Sequence, residues 1–242
     1  MKLDHLSASR IKTFEQCELK YHAKYDLGLR DKPHPLTLMG SALHKMFEKA
    51  TLAILNDEDE ERKQPRFWMD ECCKKYHVSL QNRSLLSSLA NNAVQWGYFR
   101  KIAATKGCEV KFDFALADNT KVIGFIDRLD VEPPRADVLD LKTQKSEFLD
   151  AELRTDWQSR VYNIAARELY PEVTEGVSIS FWVLRHRVQR VWMHLHHAEK
   201  DKEELMRVAD KIRSCEDPKP CPSKLCRWCP LYGECEAGLS VA

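Results

Sequence analysis

The 242-residue sequence lacks several features that would place it in a familiar class at once. No apolar run is long enough to span a bilayer, and no apolar segment follows Met1 as it does in a secretory signal peptide. No Gly-rich Walker-type loop is present, and the length leaves no room for a helicase motor beside a second catalytic domain. We therefore predict a protein that is neither membrane-inserted nor secreted, with one main domain and a satellite.

An excess of charge of one sign is also missing. The 38 Lys and Arg residues nearly balance the 37 Asp and Glu residues, which gives a formal net charge of +1. This balance argues against a protein that coats nucleic acid through a global basic field. It leaves open a local basic groove, or a bound metal ion, as the means of holding phosphate groups.

Disulfide bonds are not expected either. The nine cysteines are an odd number in a sequence without a visible leader, which indicates the cytoplasm and metal binding. Adjacent Cys72 and Cys73 cannot easily face one metal ion, so we interpret them as packing residues.

The C-terminal segment contains too few apolar residues to pack by itself. Within it, Cys226, Cys229 and Cys235 have a spacing that is typical of a metal site. A fourth ligand is needed, and nearby Cys221 and distant Cys17 are both candidates. A zinc ribbon usually has two C-x₂-C pairs, whereas this segment has one.

The stretch with the richest chemistry is residues 124–130 followed by residues 140–143. Both lie in short apolar runs that flank two prolines, so the pattern predicts a β-hairpin with strands over residues 121–131 and 138–143. Side chains alternate along a strand, which places Asp140 and Lys142 on one face. Asp127, on the partner strand, is then expected close to opposite Asp140.

Two carboxylates and a lysine would thus converge at one place. Carboxylates held together repel unless a cation lies between them, and Mg²⁺ or Mn²⁺ is the usual partner for such oxygen ligands. Lys142 could then stabilise a developing anion or orient a water molecule, as metal-assisted attack on a phosphodiester requires. The alternative is that Asp127, Asp130, Asp140 and Lys142 form ordinary surface ion pairs.

Four motifs follow one another along the chain: Gly40-Ser-Ala-Leu-His44, Gly124-Phe-Ile-Asp127-Arg-Leu-Asp130, Asp140-Leu-Lys142-Thr143 and Gln158-Ser-Arg-Val-Tyr162. Together they resemble the motifs of the RecB-like branch of the PD-(D/E)XK nuclease superfamily. The resemblance implies an α/β fold, with a mixed β-sheet flanked by helices around a restriction-endonuclease-like core. It also implies that His44, Asp127, Asp140 and the backbone carbonyl of Leu141 bind Mg²⁺ or Mn²⁺.

The same resemblance suggests roles for the remaining candidates. Lys142 would assist the attacking water or the anionic transition state, Gln158 would orient that lysine or the DNA backbone, and Tyr162 would line the DNA path. Glu109 resembles the first acidic position of the family. It would contact the metal directly or through water, or else pair with a lysine.

The cysteines add a second resemblance, to AddB-type (Cas-four-like) nucleases. These hold a [4Fe–4S] cluster with one cysteine before the nuclease core and three after it, the pattern of Cys17, Cys226, Cys229 and Cys235. Such a cluster needs four thiolates and an apolar shield, which Trp228 and Tyr232 could supply. We expect iron–sulfur, with zinc as the less favoured alternative.

Apolar periodicity and cap residues predict a first helix that Ser7 caps and that runs to about Leu27, further helices over residues 36–55, 65–80, 84–105 and 150–170, and a strand that begins at Cys108.

These patterns predict three segments: residues 1–35 with one cluster cysteine, a nuclease core over 36–215 with a helical insertion at about 65–105, and a cysteine-rich segment over 216–242. The two ends of the chain would form an iron–sulfur lobe. The expected function is a metal-dependent exonuclease acting on DNA ends with single-stranded character, in the cytoplasm of a bacterial, archaeal or phage-infected cell. A recombination helicase or a CRISPR integrase would be a partner. The alternatives are a non-catalytic, cluster-containing DNA-binding module and an endonuclease of the same fold.

Overall fold

The structure is a computed structural model that describes Met1–Val241; Ala242, the last residue of the predicted cysteine-rich segment, lies outside the described residues. The chain forms two compact units. One contains residues 1–34, 113–124 and 196–242, and the other contains residues 35–112 and 125–195. No helix among the described residues is long and apolar enough to cross a membrane.

A five-stranded sheet runs in the order β1-β2-β3-β4-β5. Its strands are β1 (Thr105–Ala115), β2 (Lys121–Glu132), β3 (Arg135–Lys142), β4 (Gly176–Val183) and β5 (Arg187–His194). The pairs β2–β3 and β4–β5 are antiparallel, whereas β3 and β4 are parallel and need a crossover connection. The helix α6 (Trp157–Leu169) provides it. The predicted α/β fold with a mixed sheet flanked by helices is therefore confirmed.

The hairpin formed by β2 and β3 is tighter than the sequence indicated. Its register runs from Arg128 opposite Leu139 to Glu132 opposite Arg135, and the turn is Pro133-Pro134, joined by a cis peptide bond. We predicted a six-residue connection, but only two residues separate the strands. Pairing therefore continues through residues that the proline-rich composition had assigned to a loop.

Three helices pack on one another and on the sheet in the second unit: α3 (Pro35–Leu55), α4 (Met69–Lys75) and α5 (Leu80–Gln95). Their buried side chains share a core with Leu139, Leu141 and Trp182 of β3 and β4. Cys72 and Cys73 are buried in this core, so their interpretation as packing residues is confirmed.

The helical insertion differs from the prediction of two long helices over residues 65–80 and 84–105. A short 3₁₀ turn, Pro65–Trp68, precedes α4, and α5 ends at Gln95. Gly97 and Lys101 have φ angles of +90° and +60°, which an α-helix cannot accommodate. The chain then enters β1 at Thr105, three residues before the predicted start of that strand at Cys108.

The helix α6 is also shorter than the predicted range of residues 150–170. It begins after Asp156, whose carboxylate accepts a hydrogen bond from the backbone N–H of Gln158 at 2.8 Å. A capping carboxylate satisfies donors that would otherwise lack a partner at the start of a helix. This cap fixes the orientation of the first turn, which includes Gln158.

The first unit begins with α1 (Ala8–Gln16), capped by Ser7 as predicted, and α2 (Glu18–Tyr21), which continues as a π-helical turn. We expected one continuous helix to about Leu27, which is wrong at Cys17. That residue has an extended backbone, with φ −170° and ψ 113°, and it ends one helix and begins the next. The helices α7 (Leu195–Ser214) and α8 (Glu236–Leu239) complete the described part of the chain.

Candidate active site

The predicted active-site residues come from five elements of one unit. They are His44 on α3, Glu109 on β1, Asp127 on β2, Asp140, Leu141 and Lys142 on β3, and Gln158 and Tyr162 on α6. Because each position is set by a packed helix or strand, the side chains have little freedom to move apart. They form two groups, one around His44 and one around Asp140.

The first group is a nitrogen and two carboxylates. His44 Nδ1 lies 3.1 Å from Asp127 Oδ2 and 3.8 Å from Glu109 Oε1. One ligand atom from each residue lies within 4.8 Å of the others, a spacing that allows all three to contact one metal ion. Asp127 Oδ2 also accepts a hydrogen bond from the backbone N–H of Leu141 at 2.9 Å, which ties β2 to β3 beside the group.

Glu109 reaches this group through an unusual backbone. Its φ angle is +50°, in the left-handed region that few non-glycine residues adopt, although it lies within a strand. Such conformations cost free energy and cluster at functional sites. The backbone therefore favours a role for Glu109 near His44 over the alternative of a lysine pair, and its contact with a metal stays a prediction.

The second group surrounds Asp140, which is only 1% exposed to solvent. Lys142 Nζ lies 2.6 Å from Asp140 Oδ2, while Oδ1 accepts hydrogen bonds from Gln158 Nε2 at 2.9 Å and from the Tyr162 hydroxyl at 3.0 Å. Gln158 Oε1 in turn accepts a hydrogen bond from Lys142 Nζ at 2.9 Å. Gln158 therefore holds the carboxylate and the lysine at the same time.

Electrostatics distinguish the two carboxylates. Burial raises the pKa of Asp127, but the neighbouring His44 and Lys142 lower it by more, so its pKa lies below the usual value. Burial and the nearby charge of Asp127 raise the pKa of Asp140 above its usual value, even though Lys142 is adjacent. Asp140 thus has a burial cost that its lysine partner does not fully offset.

The same interactions act on the histidine. Burial lowers the pKa of His44, but the charge of Asp127 and a hydrogen bond to it outweigh that effect and raise the pKa to about 9. A proton on His44 therefore occupies the position where a metal ion would otherwise stabilise the adjacent carboxylates. Metal binding would need that proton to leave.

These residues fit a hard divalent cation. Carboxylate oxygens and one imidazole suit Mg²⁺ or Mn²⁺, and the histidine adds preference for Mn²⁺. Asp140 Oδ2 accepts no hydrogen bond beyond its ion pair within the described chain, and a cation would relieve its burial cost. Asp140 is not part of the close His44–Glu109–Asp127 group, so its direct ligation remains a prediction.

The site opens into a cavity of about 770 Å³. The residues that line it include His44, Glu109, Asp127, Leu141 and Lys142. The lining also contains two aromatic residues that are not among the predicted site residues, Phe125 and Tyr76. Strand alternation could have identified Phe125, because it precedes Asp127 by two positions on β2.

The other acidic residue of the hairpin motif has a different environment. Arg128 is fully buried and makes a two-bond ion pair with Asp130, with Nε–Oδ1 at 2.8 Å and Nη2–Oδ2 at 2.7 Å. Arg128 also donates to the backbone carbonyls of Tyr98 and Arg100. These contacts of Arg128 hold β2 to the end of the helical insertion. The alternative that Asp130 forms a surface ion pair is wrong, because its ion pair with Arg128 is buried.

The cysteines of the first unit line a second, narrow cavity. Cys17, Cys226, Cys229 and Cys235 border it together with Cys221 and Tyr232, while Trp228 packs against the ring of His34 at 4.3 Å. Backbone N–H groups of Lys20 and Cys221 point at Cys17 Sγ at 3.4 and 3.3 Å, and that of Ser223 points at Cys226 Sγ at 3.2 Å.

Cysteine sulfurs are the ligands that zinc and iron–sulfur clusters take in proteins, so the lining of this cavity matches the donor set of such a group. The identity of the fourth ligand stays a prediction, because both Cys17 and Cys221 border the cavity.

A family model and two solved structures are similar to this chain. The family model of the PD-(D/E)XK nuclease superfamily matches residues 5–236. The fold is similar to that of a "putative exonuclease" from Eubacterium rectale, with a TM-score of 0.57 and 16% identity over 90% of this chain and 85% of the other. The structure of SSO0001 is similar at a TM-score of 0.46 and 13% identity, over 98% of this chain and 88% of the other. No curated protein matches the sequence significantly.

Proposed function

This chain belongs to the PD-(D/E)XK nuclease superfamily, and from that premise we propose that it is a divalent-metal-dependent deoxyribonuclease that removes nucleotides from DNA ends. One observation carries the proposal: His44, Glu109, Asp127 and Lys142 line a single cavity, with the buried Asp140 paired to that lysine. A nitrogen, carboxylates and an ammonium group in one open cavity match what phosphodiester hydrolysis requires.

In this proposal, His44, Asp127, Asp140 and the Leu141 carbonyl bind the ion, and Glu109 contacts it directly or through water. The ion, when bound, supplies Lewis acidity toward the phosphate and lowers the pKa of a water molecule. Contacts made to the phosphate backbone carry little sequence information, so low sequence preference is expected.

The role of the chain's own residues centres on Lys142. Its ammonium group, held by Asp140 and Gln158, stabilises the negative charge that develops on the phosphate in the transition state. Gln158 and Tyr162 position Asp140 through hydrogen bonds from the α6 side of the strand. A group fixed before the reaction needs no reorganisation during it, which is the source of its catalytic effect.

We further propose that the chain is of the RecB-like, AddB type, and that Cys17, Cys226, Cys229 and Cys235 hold a [4Fe–4S] cluster, with zinc as the alternative. The support is the set of cysteines around one cavity and the N–H groups directed at their sulfurs. The functional segments would then be residues 1–35, the nuclease core over 36–215, and 216–242. An association with a recombination helicase or a CRISPR integrase, and a cytoplasmic location, stay predictions.

Two other functions have to be separated by experiment. A non-catalytic DNA-binding module would be free to lose one of His44, Asp127, Asp140 or Lys142, and all four are present. An endonuclease of the same fold would use the same side chains but would not need a DNA end.

The deciding assay uses linear DNA, single- and double-stranded, labelled at each end in turn, together with closed circular plasmid, in Mn²⁺ and in Mg²⁺. Progressive loss of label from linear DNA with intact circles supports the exonuclease. Linearisation of the circles into discrete products would establish an endonuclease instead, and binding without cleavage in either metal would establish the non-catalytic module.

A further inference from the structure

Phe125 is a large apolar residue that lies outside the buried core. It lies on β2, and 52% of the residue is exposed, while its neighbour Ile126 is fully buried. Alternation along the strand puts Phe125 on the same face as Asp127, two positions away. Single exposed apolar residues are common on protein surfaces, so exposure alone carries no argument.

The location of the ring is more specific than its exposure. Phe125 and the half-buried Tyr76 line the same cavity as His44, Glu109, Asp127 and Lys142. At about 770 Å³, the cavity falls within the usual range for sites that enclose part of a ligand. An exposed aromatic face therefore borders the space that a DNA end would enter.

The charges of the lining indicate what this ring contributes. Three side chains are basic or imidazole and three are acidic: His44, Lys45 and Lys142 against Glu48, Glu109 and Asp127. Lys45 is moreover paired with Glu48 at 2.7 Å. The cavity wall thus offers no basic excess to hold a phosphate backbone, and affinity must come from the bound metal and from non-ionic contacts.

Stacking on an aromatic ring is such a contact, and it distinguishes single strands from duplexes. A base in a duplex is already paired and stacked on its neighbours, whereas an unpaired base has a free face. Every base has such a face, so stacking is tolerant of sequence. This tolerance agrees with an enzyme that degrades DNA from an end.

We propose that Phe125 stacks on an unpaired base beside the reacting phosphate and thereby makes the enzyme select single-stranded or frayed DNA ends. The inference rests on the proposed nuclease function and adds to it a residue that determines substrate class. Tyr76, which lines the same cavity, contacts the neighbouring part of the DNA strand. Phe125 is a specificity residue that takes no part in the chemistry.

The test measures binding separately from turnover. Ca²⁺ replaces Mg²⁺ because it has the same charge but supports little cleavage. A labelled single-stranded oligonucleotide and a blunt hairpin duplex are titrated with wild type, Phe125→Ala, Phe125→Leu and Phe125→Trp. Phe67→Ala is the matched control, because Phe67 is similarly exposed at 48% and does not line the cavity. Fluorescence of a terminal 2-aminopurine, which stacking quenches, reports the contact directly.

The expected result is that Phe125→Ala and Phe125→Leu each weaken single-strand binding by roughly 5- to 150-fold, the range for one lost base–aromatic stack. Both should relieve the 2-aminopurine quenching, while Phe125→Trp and Phe67→Ala behave as wild type. Duplex binding should change little. In cleavage assays with Mg²⁺, the loss should appear in KM for single strands and leave kcat nearly unchanged.

Three results would overturn the proposal: full retention of quenching in Phe125→Ala, normal binding by Phe125→Leu, or equal weakening for single strand and duplex. If the wild-type protein binds the single strand and quenches its 2-aminopurine but never cleaves it, the nuclease proposal is refuted and the stacking proposal stands. Failure of wild type to bind any DNA would contradict both.

Discussion

The candidate active site and the cysteine cavity are built in opposite ways. The predicted active-site residues lie on long, packed elements such as α3 and the strands β2 and β3, and Asp140 is nearly inaccessible to solvent. Cys17, Cys226 and Cys235 each lie at the start of a helix of three or four residues, and none of the five cysteines at the cavity is buried. A hydrophobic core holds the elements of the first site, whereas we predict that a bound group holds the second.

The largest expected effect is at the cysteine cavity. Joining Cys17 to Cys226 through one cluster closes a loop of about 200 residues, which by the chain-entropy estimate stabilises by on the order of 5 kcal/mol, less any strain. Cys17→Ala should therefore lose its iron and part of its thermal stability. It should also lose the absorbance at about 400 nm, which arises from iron–thiolate charge transfer. Iron analysis and thermal denaturation of the purified variant check this.

The control is Cys221→Ala, which should keep the cluster. Cys72→Ala and Cys73→Ala should keep it too, although a cavity in the helical core will lower their stability. A cluster that survives Cys17→Ala and disappears with Cys221→Ala would move the fourth ligand into the C-terminal segment. Stoichiometric zinc in place of iron would show that these cysteines bind zinc and not an iron–sulfur cluster.

The second effect tests the rigid site. Asp127→Ala, Asp140→Ala and Lys142→Ala should each reduce cleavage by roughly 10³-fold, the upper range for removing one fixed electrostatic group, while the fold persists. Circular dichroism and single-turnover assays separate the two properties. Near-normal turnover in either aspartate variant would refute the two-carboxylate assignment.

The third effect follows from the raised pKa of His44. Its pKa is about 9 in the folded, metal-free protein and 6.5 in the unfolded chain, so the interaction with Asp127 stabilises fully below pH 6.5 and is lost as the pH rises through 9. The shift corresponds to roughly 3 kcal/mol. Urea unfolding in the presence of a chelator should show the stability advantage of wild type over His44→Gln shrinking between pH 6 and pH 9.5. A constant difference across this interval would refute the coupling.

The smallest effect concerns metal affinity. His44→Ala should weaken Mn²⁺ binding by at least the roughly 10-fold that is lost when a residue supporting a metal ligand is removed, because His44 is proposed to be a ligand itself. Excess Mn²⁺ should restore part of the activity, because Asp127 and Glu109 remain. Calorimetric titration and the metal dependence of cleavage measure both, and an unchanged dependence would show that His44 is not a ligand.

The sequence predicted the parts of the site that follow from strand periodicity. Alternation and two prolines were enough to bring Asp127 toward Asp140 and Lys142. The left-handed backbone of Glu109 was not predictable, because nothing in the local sequence requires it. The break at Cys17 was missed because the residues on both sides favour a helix. In the structure, Cys17 Sγ caps α2 by accepting from the backbone N–H of Lys20, and it also accepts from the backbone N–H of Cys221, 204 positions away.

The contact between Cys17 and the backbone of Cys221 also sets an order of events during synthesis. The two residues are separated by 204 positions, and a ribosome adds about 5 to 20 residues per second. Cys17 therefore leaves the ribosome roughly 10 to 40 s before the segment that completes its cavity. During this interval Cys17 has been made, but the four other cysteines of its cavity have not. Binding of the predicted cysteine-held group would consequently be a late step of maturation, after the last cysteine has been made.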